Sequence, residues 1–182
     1  MTLRSEAGRG WIAAASGLLL LAGLSAPARA APMAFECDVP PSHYSELTQA
    51  ASTPAPIVTG RILVEELRKS DDESPGAGIA LTAADGKRQA VLRLIAPALD
   101  KKVLRGQLYL NDGQKKQTIE LGLVSGVAAI TIRLSLSDTG KIDLQLGELR
   151  SSQPFIPLPA ARLTAWCATG EFAFRDLDFA GR

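Results

Sequence analysis

Few residues in this sequence have the type and spacing needed for chemistry. His43 is the single histidine, and a Ser-His-Asp triad would have to use it, yet no nucleophile elbow surrounds it. One histidine and two cysteines cannot complete a structural zinc site without carboxylates. The acidic run Asp71-Asp72-Glu73 lacks the alternating oxygen ligands and turn glycine of a calcium loop, and no glycine-rich loop has the lysine of a phosphate cradle. We therefore predict no catalytic residue, no metal and no cofactor, with His43 in an exposed loop and the acidic run at a solvated loop tip.

Cys37 and Cys167 lie near opposite ends of the chain. Two cysteines in an exported chain favour one disulfide, because the compartment is oxidising. Trp166 stands beside Cys167, and an aromatic next to a half-cystine is more often a packing residue. Its indole is nevertheless the one candidate in the sequence for a stacking platform under a sugar ring. We therefore predict a Cys37–Cys167 disulfide and name Trp166 as the candidate ligand-binding residue.

The first thirty residues have the pattern of a signal peptide. Two arginines precede an apolar run over 11–24, and Ala28-Arg29-Ala30 supplies the small-x-small cleavage pattern. The apolar run is too short to span a bilayer, which needs roughly 20 residues. We predict a signal peptide at 1–30, cleavage before Ala31, and one domain over 31–182. The mature protein would then be periplasmic or secreted, without stable membrane insertion.

Net charge excludes two classes of partner. Cleavage removes three of the 20 basic groups and one of the 19 acidic groups, which changes the net charge from +1 to −1. A protein this close to neutral has no field that would hold nucleic acid or an anionic bilayer.

Two hairpins are predicted in the middle of the chain. A turn at Asp85-Gly86 places Ile79 opposite Leu92 on one apolar face. The next turn can be centred on Asp112-Gly113, which pairs Leu108 with Gln117, or on Gly113-Gln114, which pairs Leu108 with Ile119. Because burial of the apolar face decides register, we choose the second arrangement.

The third hairpin has the clearest alternation of apolar and polar residues. Its turn Asp138-Thr139-Gly140 predicts a three-residue loop with Gly140 left-handed. That turn aligns Leu136 with Ile142 on the core face and Arg133 with Gln145 on the solvated face.

The two ends of the mature chain are harder to interpret. A short first strand over 34–39 is expected to stop at Pro40-Pro41, followed by a helical turn or loop over 42–47. The last stretch, 163–179, is predicted to be a strand pair joined at Thr169-Gly170, with a bulge near Arg175-Asp176. Between these ends, Pro154, Pro157 and Pro159 exclude a central strand.

About ten strands without a convincing helix predict an all-β, antiparallel β-sandwich or jelly roll. The ending WCATGEFAFRDLDF, after the hairpin ITIRLSLSDTGKIDLQLGEL, resembles small exported proteins with a concanavalin-like or laminin-G-like jelly roll. The resemblance implies that the first strand lies beside the last, which would bring Cys37 to Cys167. It also implies a curved sheet whose concave face often binds sugars.

Glucanases of that fold resemble one another in a Glu-x-Asp-x-x-Glu strand. The nearest match here is Glu36-Cys37-Asp38, with Pro41 in place of the last glutamate, so neither carboxylate geometry of a hydrolase can be built. We therefore expect a non-catalytic binding module of the cell envelope rather than an enzyme, with carbohydrate as its first candidate ligand. The alternative is a structural protein that binds an envelope protein through a sheet edge or the segment 154–159. A glycoside hydrolase ranks third.

Overall fold

The computed structural model describes residues 31–51, 53–99 and 102–180, and the predicted signal peptide lies outside them. The described residues form antiparallel strands, and none of them forms a helix. The strands are β1 (Met33–Ala50), β2 (Ile57–Leu67), β3 (Gly76–Thr82), β4 (Gln89–Ile95), β5 (Val103–Asn111), β6 (Lys116–Ser125), β7 (Ile130–Leu136), β8 (Lys141–Leu146), β9 (Leu149–Pro154) and β10 (Arg162–Ala180).

These strands build two sheets that share the β1–β10 ribbon. Residues 162–168 of β10 pair with β3, which continues through β4 and β5 to β6; we call this the front sheet. Residues 170–180 of β10 pair with β2, which continues through β7 and β8 to β9; we call this the back sheet. The predicted all-β antiparallel sandwich is therefore confirmed.

The ribbon passes from one sheet to the other at Ser42 and Thr169. Both residues have positive φ, 61° and 51°, and β1 changes register against β10 between Val39 and Tyr44. The Ser42 amide donates to the Thr169 hydroxyl at 3.2 Å. Arg68 packs beside the bend, where its guanidinium donates to the Val39 carbonyl at 2.8 Å and pairs with the Asp38 carboxylate.

The predicted disulfide is present and links the two sheets. Cys37 lies in the half of β1 that belongs to the back sheet, and Cys167 lies in the half of β10 that belongs to the front sheet. Their Cα atoms are 6.1 Å apart, and both residues are buried in the core. The bond therefore clamps the ribbon across its bend.

The predicted hairpin registers are confirmed. Ile79 lies opposite Leu92, Leu108 lies opposite Ile119, and Leu136 lies opposite Ile142. In each pair, burial of the alternating apolar face selects the register that the turn allows.

The predictions for the chain ends need two corrections. No turn or loop separates Pro41 from Ser45, because β1 continues to Ala50 by pairing with β10. Thr169-Gly170 is not a hairpin turn but the bend within one long strand, β10.

The exclusion of a central strand by the prolines is confirmed. The segment that ends at Pro154 forms β9, which lies at the sheet edge, where a proline removes no ladder hydrogen bond.

A bulge in β10 completes the core, as predicted. The pairing with β2 shifts between Arg175 and Asp178, and Asp176 has a φ of 51°. The extra residue moves Leu177 and Phe179 onto the same face as Phe172 and Phe174, and all four are buried.

Gly140 is left-handed, with a φ of 80°, as predicted. A Cβ at this position would lie 2.6 Å from the Phe155 carbonyl oxygen, whereas one at Gly147, with a φ of 58°, meets nothing within 4 Å. We expect Gly140→Ala to cost about 2 kcal/mol or more, since it adds a backbone clash to the left-handed strain. Gly147→Ala, the matched control, should cost only about 1 kcal/mol. If the two variants shift the midpoint of urea denaturation equally, the clash with the Phe155 carbonyl oxygen does not destabilise Gly140→Ala.

Asp112 caps the β5–β6 turn. Its carboxylate accepts hydrogen bonds from the Lys115 amide at 2.7 Å and the Gln114 amide at 2.8 Å, and these bonds lower its pKa from the model-compound value of 3.8. Because the pKa is lower in the folded protein than in the unfolded chain, the ionised carboxylate stabilises the fold. This contribution is fully present above the pKa of the unfolded chain and is lost as the pH falls through the pKa of the folded protein. Titration followed by carbon NMR should therefore find the pKa of the Asp112 carboxyl below 3.8. Asp112→Asn should remove the part of the loss of stability at low pH that this carboxylate causes.

Candidate functional site

Six residues form a straight row across the outer face of the front sheet. Cross-strand pairing places Glu46 beside Trp166, Trp166 beside Gly78, Gly78 beside Arg93, Arg93 beside Gln107, and Gln107 beside Glu120. Apart from Ser45 and Gly106, their chain neighbours on the same strands belong to the hydrophobic core or pack against it. We call this set the front row: Glu46, Trp166, Gly78, Arg93, Gln107 and Glu120.

Arg93 is held at the centre of a polar chain. Its Nε donates to Gln107 Oε1 at 2.8 Å, and the Gln107 amide nitrogen donates to the Glu120 carboxylate. Because Glu120 accepts only from the amide nitrogen, it fixes which end of Gln107 faces Arg93. Gln107 is only 9% exposed, so its packing against the sheet fixes the position of this hydrogen-bond network. The terminal amino groups of Arg93 remain available, and no described carboxylate forms an ion pair with this guanidinium.

Tyr109 lies next to this chain on β5. The Arg93 guanidinium carbon is 5.7 Å from the centre of the Tyr109 ring, within the range of a cation–π contact. Tyr109 pairs with Val91 on β4, and this pair lies two residues along the strands from the Arg93–Gln107 pair, on the same face of the sheet. A cation, an amide and a phenol therefore share one patch on the outer face.

Trp166 and Gly78 form the other half of the site. A Cβ at Gly78 would lie 3.0 Å from the indole Nε1 and Cζ2 atoms, so the indole lies over a position without a side chain. Beside it, a depression of about 340 Å³ extends over β3 and β4. It is lined by Glu46, Thr48, Ala80, Thr82, Gly86, Gln89, Val91, Arg162, Thr164 and Trp166. Small residues on β3 thus form the floor of this depression beside the indole.

The carboxylates of the front row are too far apart for glycoside hydrolysis. Glu46 and Glu120 stand on the first and last of six strands, and strands lie about 4.8 Å apart, so the two are separated by roughly 24 Å. Retaining and inverting hydrolases need carboxyl groups about 5 to 9.5 Å apart. This face cannot work by the two-carboxylate mechanism.

The other residues considered from the sequence lie away from this face. His43 is exposed in β1, and its Nδ1 is 2.8 Å from the Pro41 carbonyl oxygen. Glu36 and Asp38 form ion pairs with Arg175 and Arg68. The amides of Asp72 and Glu73 donate to the Ser70 hydroxyl. Within residues 31–51, 53–99 and 102–180, no cluster of three His, Cys, Asp or Glu side chains could hold a metal ion.

The sequence analysis named Trp166 as a candidate but did not name Arg93, Gln107 or Tyr109, which lie on the same face. The signal was present, because the correct hairpin registers put these residues on the face opposite the core. What was missing was the order of the strands, which places Trp166 of β10 two strands from Arg93 of β4.

No family model matches the sequence, and no curated protein matches it. Solved structures do match the fold. An alginate lyase from Alteromonas sp. 272 superposes with a TM-score of 0.55 and 9% identity, covering 81% of this chain and 86% of that chain. A polysaccharide lyase of family 18 gives 0.54 and 8%, with 81% and 87% covered. A β-glucanase from Bacillus licheniformis gives 0.50 and 11%, with 83% and 79% covered.

These likenesses show the jelly-roll fold that the sequence resemblance implied. They also correct our prediction of function. We expected a non-catalytic binding module and no enzyme, but the three solved structures just described are two lyases and a glucanase, which are enzymes. The prediction is therefore wrong. It rested on the missing glucanase motif, and catalysis on a sheet face does not require that motif.

Proposed function

We propose that this protein is an exported polysaccharide lyase that cleaves a uronate-containing polysaccharide by β-elimination on the outer face of the front sheet. The observation that carries the proposal is the Glu120–Gln107–Arg93 chain with Tyr109 beside it. The similarity in fold to lyases supports the reaction class. The disulfide and the predicted signal peptide at 1–30 support export of a domain at 31–182, either to the periplasm or out of the cell.

The chemistry follows from the groups present. A uronate carboxylate would bind the free amino groups of Arg93, because guanidinium donors match a carboxylate in pairs. Neutralising that carboxylate stabilises the negative charge that develops when the neighbouring C5 proton is removed. Gln107 and Glu120 hold the guanidinium in place and need not touch the sugar.

Tyr109 is the group placed to move the proton. Its oxygen takes up the C5 proton as the C4–O4 bond breaks, and the electron pair of the C5–H bond forms a C4=C5 double bond. The proton taken from C5 then passes from this oxygen to the leaving O4, so no proton is consumed overall. Trp166, three strands from Tyr109, would stack on a neighbouring sugar ring and hold the polymer across the row.

The test is an assay of the secreted protein on alginate, polygalacturonate and a neutral β-glucan. Elimination creates an unsaturated uronate that absorbs in the ultraviolet, so absorbance should rise with at least one uronate polymer and not with the glucan. New reducing ends without absorbance would indicate hydrolysis and sink the proposal, as would the absence of product from both uronate polymers.

Trp166→Ala gives a separate readout of substrate binding. Loss of the indole should raise KM on the order of tenfold and leave kcat within about twofold, because stacking on a distant ring stabilises ground state and transition state alike. Trp166→Phe, which keeps an aromatic face, should recover most of the loss. A fall in kcat at unchanged KM would instead place Trp166 at the reacting bond.

A further inference from the structure

The back sheet has a second polar depression, on the opposite side of the sandwich from the front row. Its volume is about 360 Å³, and it is lined by polar residues of β7, β8 and β9 together with Leu144. Cross-strand pairing places Arg133 beside Gln145 and Gln145 beside Arg150. The two arginines therefore stand two strands apart, about 10 Å, on either side of one amide.

The carboxylate of this depression forms an ion pair with a lysine and not with either arginine. Asp143 accepts a hydrogen bond from the Ser152 hydroxyl and pairs with Lys141 Nζ at 2.9 Å. In the described part of the chain neither Arg133 nor Arg150 forms an ion pair. The hydrogen bond from Ser152, then that from Lys141, lowers the pKa of Asp143, and the charges of Lys141 and Arg133 lower it further.

The uncharged group between the arginines can bind a hydroxyl. The Gln145 amide nitrogen donates to the Gly147 carbonyl at 2.9 Å, which leaves its Oε1 oxygen as an acceptor. Two guanidinium groups for anions and an amide oxygen for a hydroxyl are the recognition chemistry of an acidic sugar chain.

We propose that this back-sheet depression is a second, non-catalytic binding site for an acidic oligosaccharide, contacted by Arg133, Gln145 and Arg150. The choice of ligand rests on the proposed function, but the site itself does not. Two sites on opposite faces let one molecule hold one segment of polymer while it cleaves another, so binding at the back raises the local concentration of substrate.

The test compares Arg133→Gln/Arg150→Gln with the control Lys69→Gln/Lys115→Gln, which removes two exposed charges elsewhere. Alginate oligosaccharide is titrated into protein carrying Tyr109→Phe, so that it is not cleaved. Affinity is measured by calorimetry and the site is located from amide NMR shifts. We expect shifts in β7, β8 and β9, and affinity at these residues about tenfold weaker in the arginine variant but unchanged in the control.

Turnover separates the two proposals. In otherwise wild-type protein, Arg133→Gln/Arg150→Gln should leave kcat on a short oligosaccharide unchanged and raise the apparent KM on the polymer. If wild type proves inactive, the titration still reports on the back-sheet site. Amide NMR shifts confined to the front sheet would overturn the inference. So would equal affinity of the two double variants for the oligosaccharide. So would inorganic phosphate that binds the same amides as tightly as the oligosaccharide, because the site would then recognise an anion without a sugar.

Discussion

Tyr109→Phe will lower kcat on a uronate polymer by about 10² to 10⁴, the usual contribution of a positioned general acid or base. The ring stays in place against the Arg93 guanidinium, so substrate binding and KM should change little. Only the oxygen that carries the proton is lost. The measurement is the initial rate of ultraviolet absorbance over a range of polymer concentrations, with folding checked by thermal denaturation.

Arg93→Lys tests the cation in the same mechanism. A lysine keeps the positive charge but cannot both donate to Gln107 and present paired donors to a carboxylate, so we expect kcat/KM to fall by about a hundredfold. Arg105→Lys is the matched control, because Arg105 is an exposed residue on the outer face of the same strand as Gln107. If the two lysine variants lose activity equally, or if Tyr109→Phe remains fully active, catalysis does not use this patch.

Removal of the disulfide should have the largest effect on stability. Cys37 and Cys167 are separated by 130 positions, and a cross-link of that length is worth about 5 kcal/mol in the chain-entropy model. We therefore expect Cys37→Ala/Cys167→Ala to lower the free energy of unfolding by about 5 kcal/mol. Because typical domains have only about 5 to 15 kcal/mol in total, the variant should be close to unfolding at room temperature.

The control for this prediction is chemical reduction of the wild type, which removes the bond and keeps the side chains. Urea denaturation of reduced wild type and of the alanine variant should give similar midpoints, both far below that of the oxidised protein. A shift below about 1 kcal/mol would mean that the unfolded chain gains little freedom from losing the bond. Two titratable thiols in the unreduced, unfolded protein would contradict the disulfide itself.

Local patterns in the sequence were enough to predict the hairpins, their registers, the left-handed Gly140 and the bulge at Arg175-Asp176. Each depends on residues close together in the chain, where alternation of apolar residues and turn chemistry act on the same few positions. The disulfide was also predictable, because the sequence contains only two cysteines and its first thirty residues have the pattern of a signal peptide. Trp166 could be named as a candidate only because its indole could stack on a sugar ring.

Long-range pairing decided the rest. Residues 40–47 look like a stop and a turn, yet they stay in β1 because β10 pairs with the strand on both sides of its bend, up to Val39 and again from Tyr44. Thr169-Gly170 looks like a hairpin turn but becomes a bend, because β10 has β3 as its neighbour before that point and β2 after it. The front row depends on the same strand order: Trp166 is 73 positions from Arg93 in the chain but two strands from it in the sheet. Alternation along one strand indicates which face of the sheet a residue occupies. Which residues of different strands meet on that face depends on the order of the strands, and only the tertiary structure decides that order.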